Sequence, residues 1–318
     1  MKIGIIGAGN IGATLARKLA ASGYEVKIAN SKGPDTIRDL ARNVGATAVS
    51  KEEAVRGVQA IILSIPFGRY PDLANLFSEV PTEVAVIDTS NYYPFRDGAI
   101  AKVDAGKPEN VWVSDQIGRP AVKAWNAVLA VTLSEKGQPS EASRRIAIPV
   151  AGDDSAAKAT AMELVEATGF DALDSGSLID SWRQQPGTPG YCTELTTNEL
   201  KLALRSADRS RAPGNRDALL REFMAAGGEH GQLEPLRQPH EALDPRLGGV
   251  LSDPLRLHRP IAAQPAADPF VTATPRPPRA PARVAGPAGR SSRDTRRAWF
   301  RAPRARPSHQ GRPSRPGP

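Results

Sequence analysis

The feature that most constrains the fold is a glycine-rich turn between a strand and a helix near the start of the chain. Residues 2–6 (KIGII) form a short apolar run typical of a buried strand. Residues 7–12 follow as GAGNIG, and apolar residues then recur at helical spacing, at Ile11, Leu15 and Leu19. A strand that passes through three glycines into a helix predicts the first half of a β-α-β unit, and such units build parallel sheets.

The same alternation continues through the first 90 residues. Apolar segments predict four further strands, at 25–29, 46–49, 60–64 and 83–88. Helices are expected between them, at 35–43, 51–57 and 72–80. This spacing predicts an α/β protein with a Rossmann-type, doubly wound parallel sheet.

The pattern is less regular after residue 90. We expect a loop at 91–94 and further strands at 122–124, 144–151 and 170–173. We expect helices at 155–168, with Asp153 or Asp154 as N-cap, at 195–205 and at 217–226. A boundary near residue 140 is predicted to separate a Rossmann domain (1–140) from a small second α/β domain (141–228).

The last part of the chain has a different composition. Residues 231–318 contain 16 Arg, no Lys and six Asp or Glu, a net charge of +10, together with 17 of the 29 Pro. Such a segment buries too little apolar surface to offset its ordering entropy, so 229–318 is predicted to be a disordered tail. It could be a basic arm for nucleic acid or lipid, an extension without a role, or a frame-shifted translation of GC-rich sequence. We favour the third interpretation.

Composition excludes several classes of protein. No run approaches 18 apolar residues, so no membrane span is expected. Cys192 is the only cysteine, and three of the four histidines lie in residues 231–318, so neither a disulfide nor a metal site is predicted. The basic charge belongs to the tail, so nucleic acid is not an expected partner. We predict a cytoplasmic protein and leave a homodimer open.

Residues 7–12 fit the G-x-G-x-x-G pattern of dinucleotide-binding turns. Gly7 permits a tight turn, Gly9 lets the backbone approach a pyrophosphate, and Gly12 lets helix and strand pack closely. The helix N-terminus supplies free N–H groups and the positive end of its dipole. A glycine-rich turn without a ligand is the alternative.

The end of the second strand indicates which dinucleotide binds. NAD sites usually place Asp or Glu about 20 residues after the glycines, to bind the ribose 2′-OH. This chain has Asn30, Ser31 and Lys32 there. Ser31 can donate a hydrogen bond to a 2′-phosphate and Lys32 supplies positive charge, so we predict NADP(H). Ordinary surface roles for both residues are the alternative.

Two further strand ends belong to the same expected edge of the sheet. Residues 64–66 (SIP) should pass near the ribose and nicotinamide, unless Pro66 only ends its strand. Asn91 is a candidate for contacting the nicotinamide or a second substrate, or for stabilising a turn.

Together these segments resemble the NADP oxidoreductases that use the deazaflavin coenzyme F420, and their bacterial relatives. The matching pieces are MKIGIIGAGNIG, ANSKGP, LSIPF, DTSN, VKAWN and VAGDD, in the family's order within residues 1–154. Residues 182–189 (WRQQPGTP) resemble a motif of the bacterial relatives. Lys32 stands where the family usually has Arg, so the charge is kept without the bidentate fork.

The resemblance implies hydride transfer between NADPH and a second redox cofactor, F420 or else a flavin. Such a transfer needs positioning and exclusion of water rather than a protein acid or base, so no catalytic residue is predicted. The residues expected to bind NADP(H) are Gly7, Gly9, Asn10, Ile11, Gly12, Asn30, Ser31, Lys32, Ser64, Ile65 and Pro66. Those expected to contact the second substrate are Asn91, Trp182, Thr188 and Pro189.

Three other functions stay open. The N-terminal module also resembles that of pyrroline-5-carboxylate reductases and of ferric-reductase N-terminal domains, so an enzyme like either is an alternative. A non-catalytic NADPH-binding sensor is a third. A β-hydroxyacid dehydrogenase is not expected, because its glycine-rich helix with a catalytic Lys and later Asn is not found before Lys201.

Overall fold

The computed structural model describes residues 1–225, so the predicted tail at 229–318 lies outside the described residues. The strands in this part are β1 (Lys2–Ile6), β2 (Glu25–Ala29), β3 (Thr47–Ala48), β4 (Ala60–Leu63), β5 (Ala85–Asp88), β6 (Val122–Lys123), β7 (Ala147–Ala151) and β8 (Asp171–Gly176). The α-helices are α1 (Asn10–Ala21), α2 (Arg38–Asn43), α3 (Lys51–Ala54), α4 (Pro94–Asp97), α5 (Ala101–Asp104), α6 (Glu109–Ile117), α7 (Ala130–Glu135), α8 (Ser155–Ala167), α9 (Thr197–Arg205) and α10 (Ala212–Ala225). Three 3-10 helices occupy Pro34–Ile37, Phe67–Leu73 and Leu178–Gln184.

All eight strands belong to one sheet, in the order β3-β2-β1-β4-β5-β6-β7-β8. The first six run parallel, β7 pairs antiparallel with β6, and β8 is parallel to β7. The predicted Rossmann-type parallel sheet is therefore confirmed. The chain order reverses between β1 and β4, and ligands of such sheets bind at this switch point, outside the carboxyl ends of the strands. The domain boundary near residue 140 stays a prediction.

Both faces of the sheet are covered, which explains why its central strands are apolar without alternation. Ile5 and Ile62 belong to the core cluster that includes Leu15 of α1 and Leu164 of α8. The residues that point the other way pack against the 3-10 helix at Phe67–Leu73 and against α6. None of the described helices is long and apolar enough to span a membrane.

The helix predicted at 72–80 is wrong. A 3-10 helix covers Phe67–Leu73 and the chain continues in turns to residue 80. Pro71 lies inside this segment and lacks a backbone N–H, so it disfavours a longer α-helix.

Helix α6 was not predicted, although its borders are marked in the sequence. Pro108 precedes the helix, and Gly118 follows it with the left-handed φ of 68° that is common at a C-terminal cap. Strand β7 begins three residues later than predicted, at Ala147, and just before it Arg145 forms ion pairs with Glu166 and Asp171 at 2.8 and 2.9 Å. The predicted N-cap of the helix after β7 is confirmed at Asp154, whose carboxylate accepts the N–H of Ala157 at 2.8 Å.

Candidate nucleotide-binding site

The glycine-rich turn lies at the switch point and leaves almost no room at two of its three glycines. Gly7 has a φ of 112°, and its N–H donates to the carbonyl of Ala29 at 2.8 Å. A Cβ on Gly7 would lie 2.0 Å from the carbonyl oxygen of Ser64, and one on Gly12 would lie 1.9 Å from that of Gly7. The turn is thus packed against the ends of β2 and β4 through backbone atoms.

Gly9, by contrast, faces open space. A Cβ there would meet nothing within 4 Å among the described residues, and both Gly9 and Asn10 are exposed. Gly9 is the N-cap of α1, and no side chain among the described residues caps the N-terminus of this helix. The first N–H groups of a helix have no partner within it, so those of α1 are available to an anion. Ile11, also predicted to contact the nucleotide, is half-buried in the same turn.

At the tip of β2, two side chains are exposed and a third forms hydrogen bonds within the turn. The Asn30 side chain accepts the backbone N–H of Lys32 at 3.0 Å and donates to Thr36 Oγ1 at 2.9 Å. Ser31 and Lys32 are exposed. Asn30 therefore shapes the turn that presents Ser31 and Lys32.

The segment after β4 lies beside the glycine-rich turn, and its contact with the ribose and nicotinamide stays a prediction. The N–H of Ser64 donates to the carbonyl of Ile6 at 2.8 Å, and Ser64 and Ile65 are half-buried. Pro66 is exposed and precedes the buried Phe67. The end of β5 follows at the same edge, where Thr89 N–H donates to the carbonyl of Leu63 at 3.1 Å.

Behind these strand ends lies a group of buried polar side chains that sequence reasoning missed. We call it the buried ion cluster: Tyr70, Asp88, Ser90, Glu109 and Lys123. The Lys123 ammonium lies 3.0 Å from the Ser90 carbonyl oxygen, 3.2 Å from Glu109 Oε2 and 3.5 Å from Asp88 Oδ2. Asp88 Oδ1 accepts hydrogen bonds from the Tyr70 hydroxyl and from the Ser90 N–H and Oγ, the latter two at 2.8 and 2.6 Å.

The cluster is sealed from solvent, since the side chains of Asp88 and Lys123 have no exposed surface. Burial raises the pKa of Glu109, and the nearby Lys123 ammonium opposes this shift. Burial and the Asp88 carboxylate raise the pKa of Tyr70 well above its usual value. The sequence held one signal: Asp88 and Lys123 lie in DTSN and VKAWN, two of the segments on which the resemblance to the family was based.

A second set of polar groups joins the ends of β5 and β6 to the 3-10 helix at Leu178–Gln184. We call Asn91, Asn126 and Gln184 the amide ladder. Asn126 Nδ2 donates to Asn91 Oδ1 at 3.1 Å and to the Gln184 carbonyl at 2.7 Å, while Gln184 Nε2 donates to Asn126 Oδ1 at 3.0 Å. The Asn91 amide also donates to the Asn126 carbonyl and to the Tyr191 hydroxyl, at 2.8 and 3.2 Å. Asn91 is thus extensively used within the protein, and its contact with a ligand stays a prediction.

The segment at 182–189 is also engaged by its own chain. The guanidinium groups of Arg183 and Arg209 lie 4.5 and 5.8 Å from the centre of the Trp182 ring. The hydroxyl of the buried Thr188 donates to the Gln185 carbonyl at 2.8 Å, and Pro189 is half-buried.

Gly187 in the same segment packs closely against the backbone of α10. A Cβ on Gly187 would lie 2.0 Å from the Ala212 carbonyl oxygen. Nearby, burial raises the pKa of the Cys192 thiol to about 12, which keeps it protonated at neutral pH.

Comparison with known proteins shows what the first part of the chain is similar to. Residues 2–92 match the family model described as NADP oxidoreductase, coenzyme F420-dependent. A 79-residue segment (24% of this chain) is 43% identical to the protein YjhV of Escherichia coli K12 and covers 58% of it. A 180-residue segment (57% of this chain) is 28% identical to the metalloreductase STEAP3 of Rattus norvegicus and covers 35% of it. The chain therefore spans little more than half of one curated relative and about a third of the other.

The fold also matches a solved structure. The crystal structure of the hypothetical protein SMa0349 from Sinorhizobium meliloti superposes with a TM-score of 0.54 at 28% identity, over 62% of this chain and 95% of that one. The match to the family model includes the glycine-rich turn, the tip of β2, and the ends of β4 and β5, so it confirms the predicted resemblance there. Residues 2–92 of this chain are therefore similar to the NADP oxidoreductases of the coenzyme F420-dependent family.

Proposed function

We propose that this chain is an NADP(H)-dependent oxidoreductase that transfers hydride between NADPH and a second redox cofactor, the deazaflavin F420. The observation that carries the proposal is the contrast within the glycine-rich turn. Gly7 and Gly12 are packed against backbone, whereas Gly9 faces open space in front of the uncapped N-terminus of α1. A pyrophosphate needs such an approach to backbone N–H groups, so the residues present fit a dinucleotide.

The tip of β2 supports NADP(H) over NAD(H). Ser31 and Lys32 are exposed there, in a turn that Asn30 shapes. A nearby carboxylate, Asp35, forms an ion pair with Arg38 at 2.6 Å, so its repulsion of a 2′-phosphate is reduced. Lys32 attracts the phosphate as a point charge without bidentate geometry, so the preference for NADP(H) is expected to be moderate.

The reaction asks little of the protein beyond placement. Bound NADPH supplies the hydride, and the side chains around it orient the nicotinamide and exclude water. The choice of F420 as second partner rests on the family description of residues 2–92. The similarity to a metalloreductase favours one alternative, in which a flavin or ferric iron accepts the electrons.

An acceptor screen separates these possibilities. The full-length chain is mixed with NADPH, and the loss of its absorbance is followed with F420, FMN, FAD, a ferric chelate or pyrroline-5-carboxylate as acceptor. Turnover with F420 alone is the expected result. Turnover with a flavin or ferric iron instead would overturn the F420 assignment and retain the NADPH site. Binding of NADPH without turnover would favour a sensor.

The substitution Lys32→Gln tests the preference for NADP(H). A hydrogen bond to a charged group contributes about 1.5 kcal/mol, so NADPH affinity should fall roughly tenfold while NADH affinity stays unchanged. Calorimetric titration measures both. Lys51→Gln is the matched control. Lys51 is also an exposed lysine in the first half of the Rossmann segment, but it lies in α3 and not at the tip of β2. Equal losses for NADPH and NADH would show that Lys32 does not bind the 2′-phosphate.

A further inference from the structure

The buried ion cluster connects the two loops that are expected to flank the nicotinamide. Residues 64–66 follow β4, and residues 89–91 follow β5. Taking the proposed NADPH site as given, we propose that the cluster positions the nicotinamide end of NADPH by fixing these two loops relative to each other. Tyr70 and Lys123 are then positioning residues, which act through the loops without touching the cofactor.

Lys123 fixes the loop after β5. It is paired with Asp88 in the sheet register, and its ammonium donates to the Ser90 carbonyl at 3.0 Å. The Asp88 carboxylate accepts the N–H and Oγ of the same Ser90, at 2.8 and 2.6 Å. Ser90, the residue before Asn91, is therefore held by a carboxylate at its N–H and by an ammonium at its carbonyl, and this is a stronger constraint than neutral hydrogen bonds would give.

Tyr70 ties the other loop to the same point. The 3-10 helix that carries Tyr70 begins at Phe67, directly after Pro66. The Tyr70 hydroxyl donates to Asp88, and its ring contacts that of Phe67 with a centroid distance of 5.9 Å. Asp88 Oδ1 thus accepts hydrogen bonds from Ser90 in one loop and from Tyr70 in the 3-10 helix that continues the other loop, so it couples the positions of the two loops.

The cost of burying these charges argues for a specific geometry. Apolar residues of similar volume are often as stabilising as a buried ion pair, or more so, because charges lose their hydration. In this protein two carboxyl groups share one ammonium, and Asp88 Oδ2 has no hydrogen-bond partner among the described residues. Such a cluster defines positions more than it adds stability, and it lies directly behind the edge where a nucleotide is expected.

The test compares a whole ligand with a fragment that lacks the nicotinamide. Lys123→Met would leave two buried carboxyl groups without their ammonium and could prevent folding, so Tyr70→Phe is the chosen variant. Affinities of the full-length protein for NADPH and for 2′,5′-ADP are measured by calorimetry, and the fluorescence of bound NADPH is recorded. NADPH affinity should fall about five- to tenfold, as loss of one buried hydrogen bond implies, with 2′,5′-ADP affinity within twofold. The fluorescence of bound NADPH should shift toward that of free NADPH.

Tyr92→Phe is the matched control. Tyr92 is also fully buried and packs on Phe67, with a centroid distance of 5.4 Å, but its hydroxyl bonds Asp104 at 2.9 Å, away from the cluster. This substitution should leave the affinities for NADPH and for 2′,5′-ADP unchanged. Three results would overturn the inference. Tyr70→Phe could lose affinity for NADPH and for 2′,5′-ADP equally, or it could bind NADPH with wild-type affinity. Tyr92→Phe could show the same selective loss of NADPH affinity. A wild-type protein that binds neither ligand would instead refute the proposed NADPH site.

Discussion

The glycine-rich turn and the amide ladder are two polar regions at the same edge of the sheet, and they treat their hydrogen-bonding groups in opposite ways. The turn packs Gly7 and Gly12 against backbone but leaves Gly9 and the first N–H groups of α1 open. In the ladder, the side chains of Asn126 and Gln184 form hydrogen bonds with each other and with nearby carbonyl groups. A ligand is therefore expected where backbone groups are left unused, whereas the polar side chains of the ladder hold the sheet to the following 3-10 helix.

The largest effect that would test this comparison is expected for Gly12→Ala. The new Cβ would lie 1.9 Å from the Gly7 carbonyl oxygen, so the turn must open. NADPH binding should be lost, and overpacking should lower the free energy of unfolding by roughly 1–3 kcal/mol. Titration with NADPH and denaturant unfolding measure the two effects.

Gly9→Ala separates binding from packing. Its Cβ would have no described atom within 4 Å. The free energy of unfolding should therefore change by less than about 1 kcal/mol, the typical cost of alanine at an N-cap. NADPH affinity should still fall, because the methyl group occupies the approach to the backbone. A Gly9→Ala protein with wild-type affinity would argue against a phosphate at this turn.

The next effect concerns the ladder, where Gln184→Ala should change stability but not binding. Truncation leaves Asn126 Oδ1 and Ser175 Oγ without their partners at 3.0 and 2.6 Å. A buried group without a partner costs about 1–3 kcal/mol, so we expect the free energy of unfolding to fall by about 2 kcal/mol. NADPH affinity should stay within twofold of wild type, as measured by titration.

Gln185→Ala is the neighbouring control. Gln185 Nε2 is buried without a hydrogen-bond partner in the described part of the chain, so its removal should cost less than that of Gln184. If Gln184→Ala kept its stability but lost turnover with the acceptor, the ladder would have to be reassigned as a ligand site.

The same contrast explains which parts could be predicted from sequence. The turn at 7–12 could, because its chemistry is local: a strand, three glycines and a helix occupy consecutive positions, and their packing follows from backbone geometry. The ladder and the buried ion cluster could not, because their partners are distant in the chain. Asn126 and Gln184 are 58 residues apart, and Tyr70 and Asp88 are 18 apart.

Local signals also failed where tertiary contacts compete with them. Residues 72–80 have helical spacing, yet Pro71 and the packing of Tyr70 on Phe67 favour a 3-10 turn. Asn91 was selected as a ligand contact for its residue type and its place after a strand, and Thr188 because its segment resembles a family motif; both contacts stay predictions. The structure shows that each bonds to its own chain, a fact that depends on residues far away or on a turn that the sequence did not define.

The smallest expected effect concerns the N-terminus of α9, where two side chains form a capping pair, in contrast to that of α1. The Glu199 carboxylate accepts the Oγ and backbone N–H of Thr196 at 2.6 and 2.8 Å, and these bonds lower the pKa of Glu199 below 4.5. A lowered pKa in the folded state means that ionised Glu199 stabilises the protein above about pH 4.5, and that this stabilisation is lost as the pH falls through the folded-state pKa.

Thr196→Ala should therefore raise the pKa of Glu199 toward its ordinary value and cost about 1 kcal/mol of unfolding free energy at neutral pH. A carboxyl-detected NMR titration measures the pKa. Ser50→Ala is the control, because Ser50 and Glu53 form a similar pair at α3, where the Ser50 N–H and hydroxyl lower the pKa of Glu53. This control should raise the pKa of Glu53 and leave that of Glu199 unchanged. Neither variant should alter NADPH binding, since neither residue belongs to the turn at 7–12 or to the tip of β2, where the nucleotide is expected.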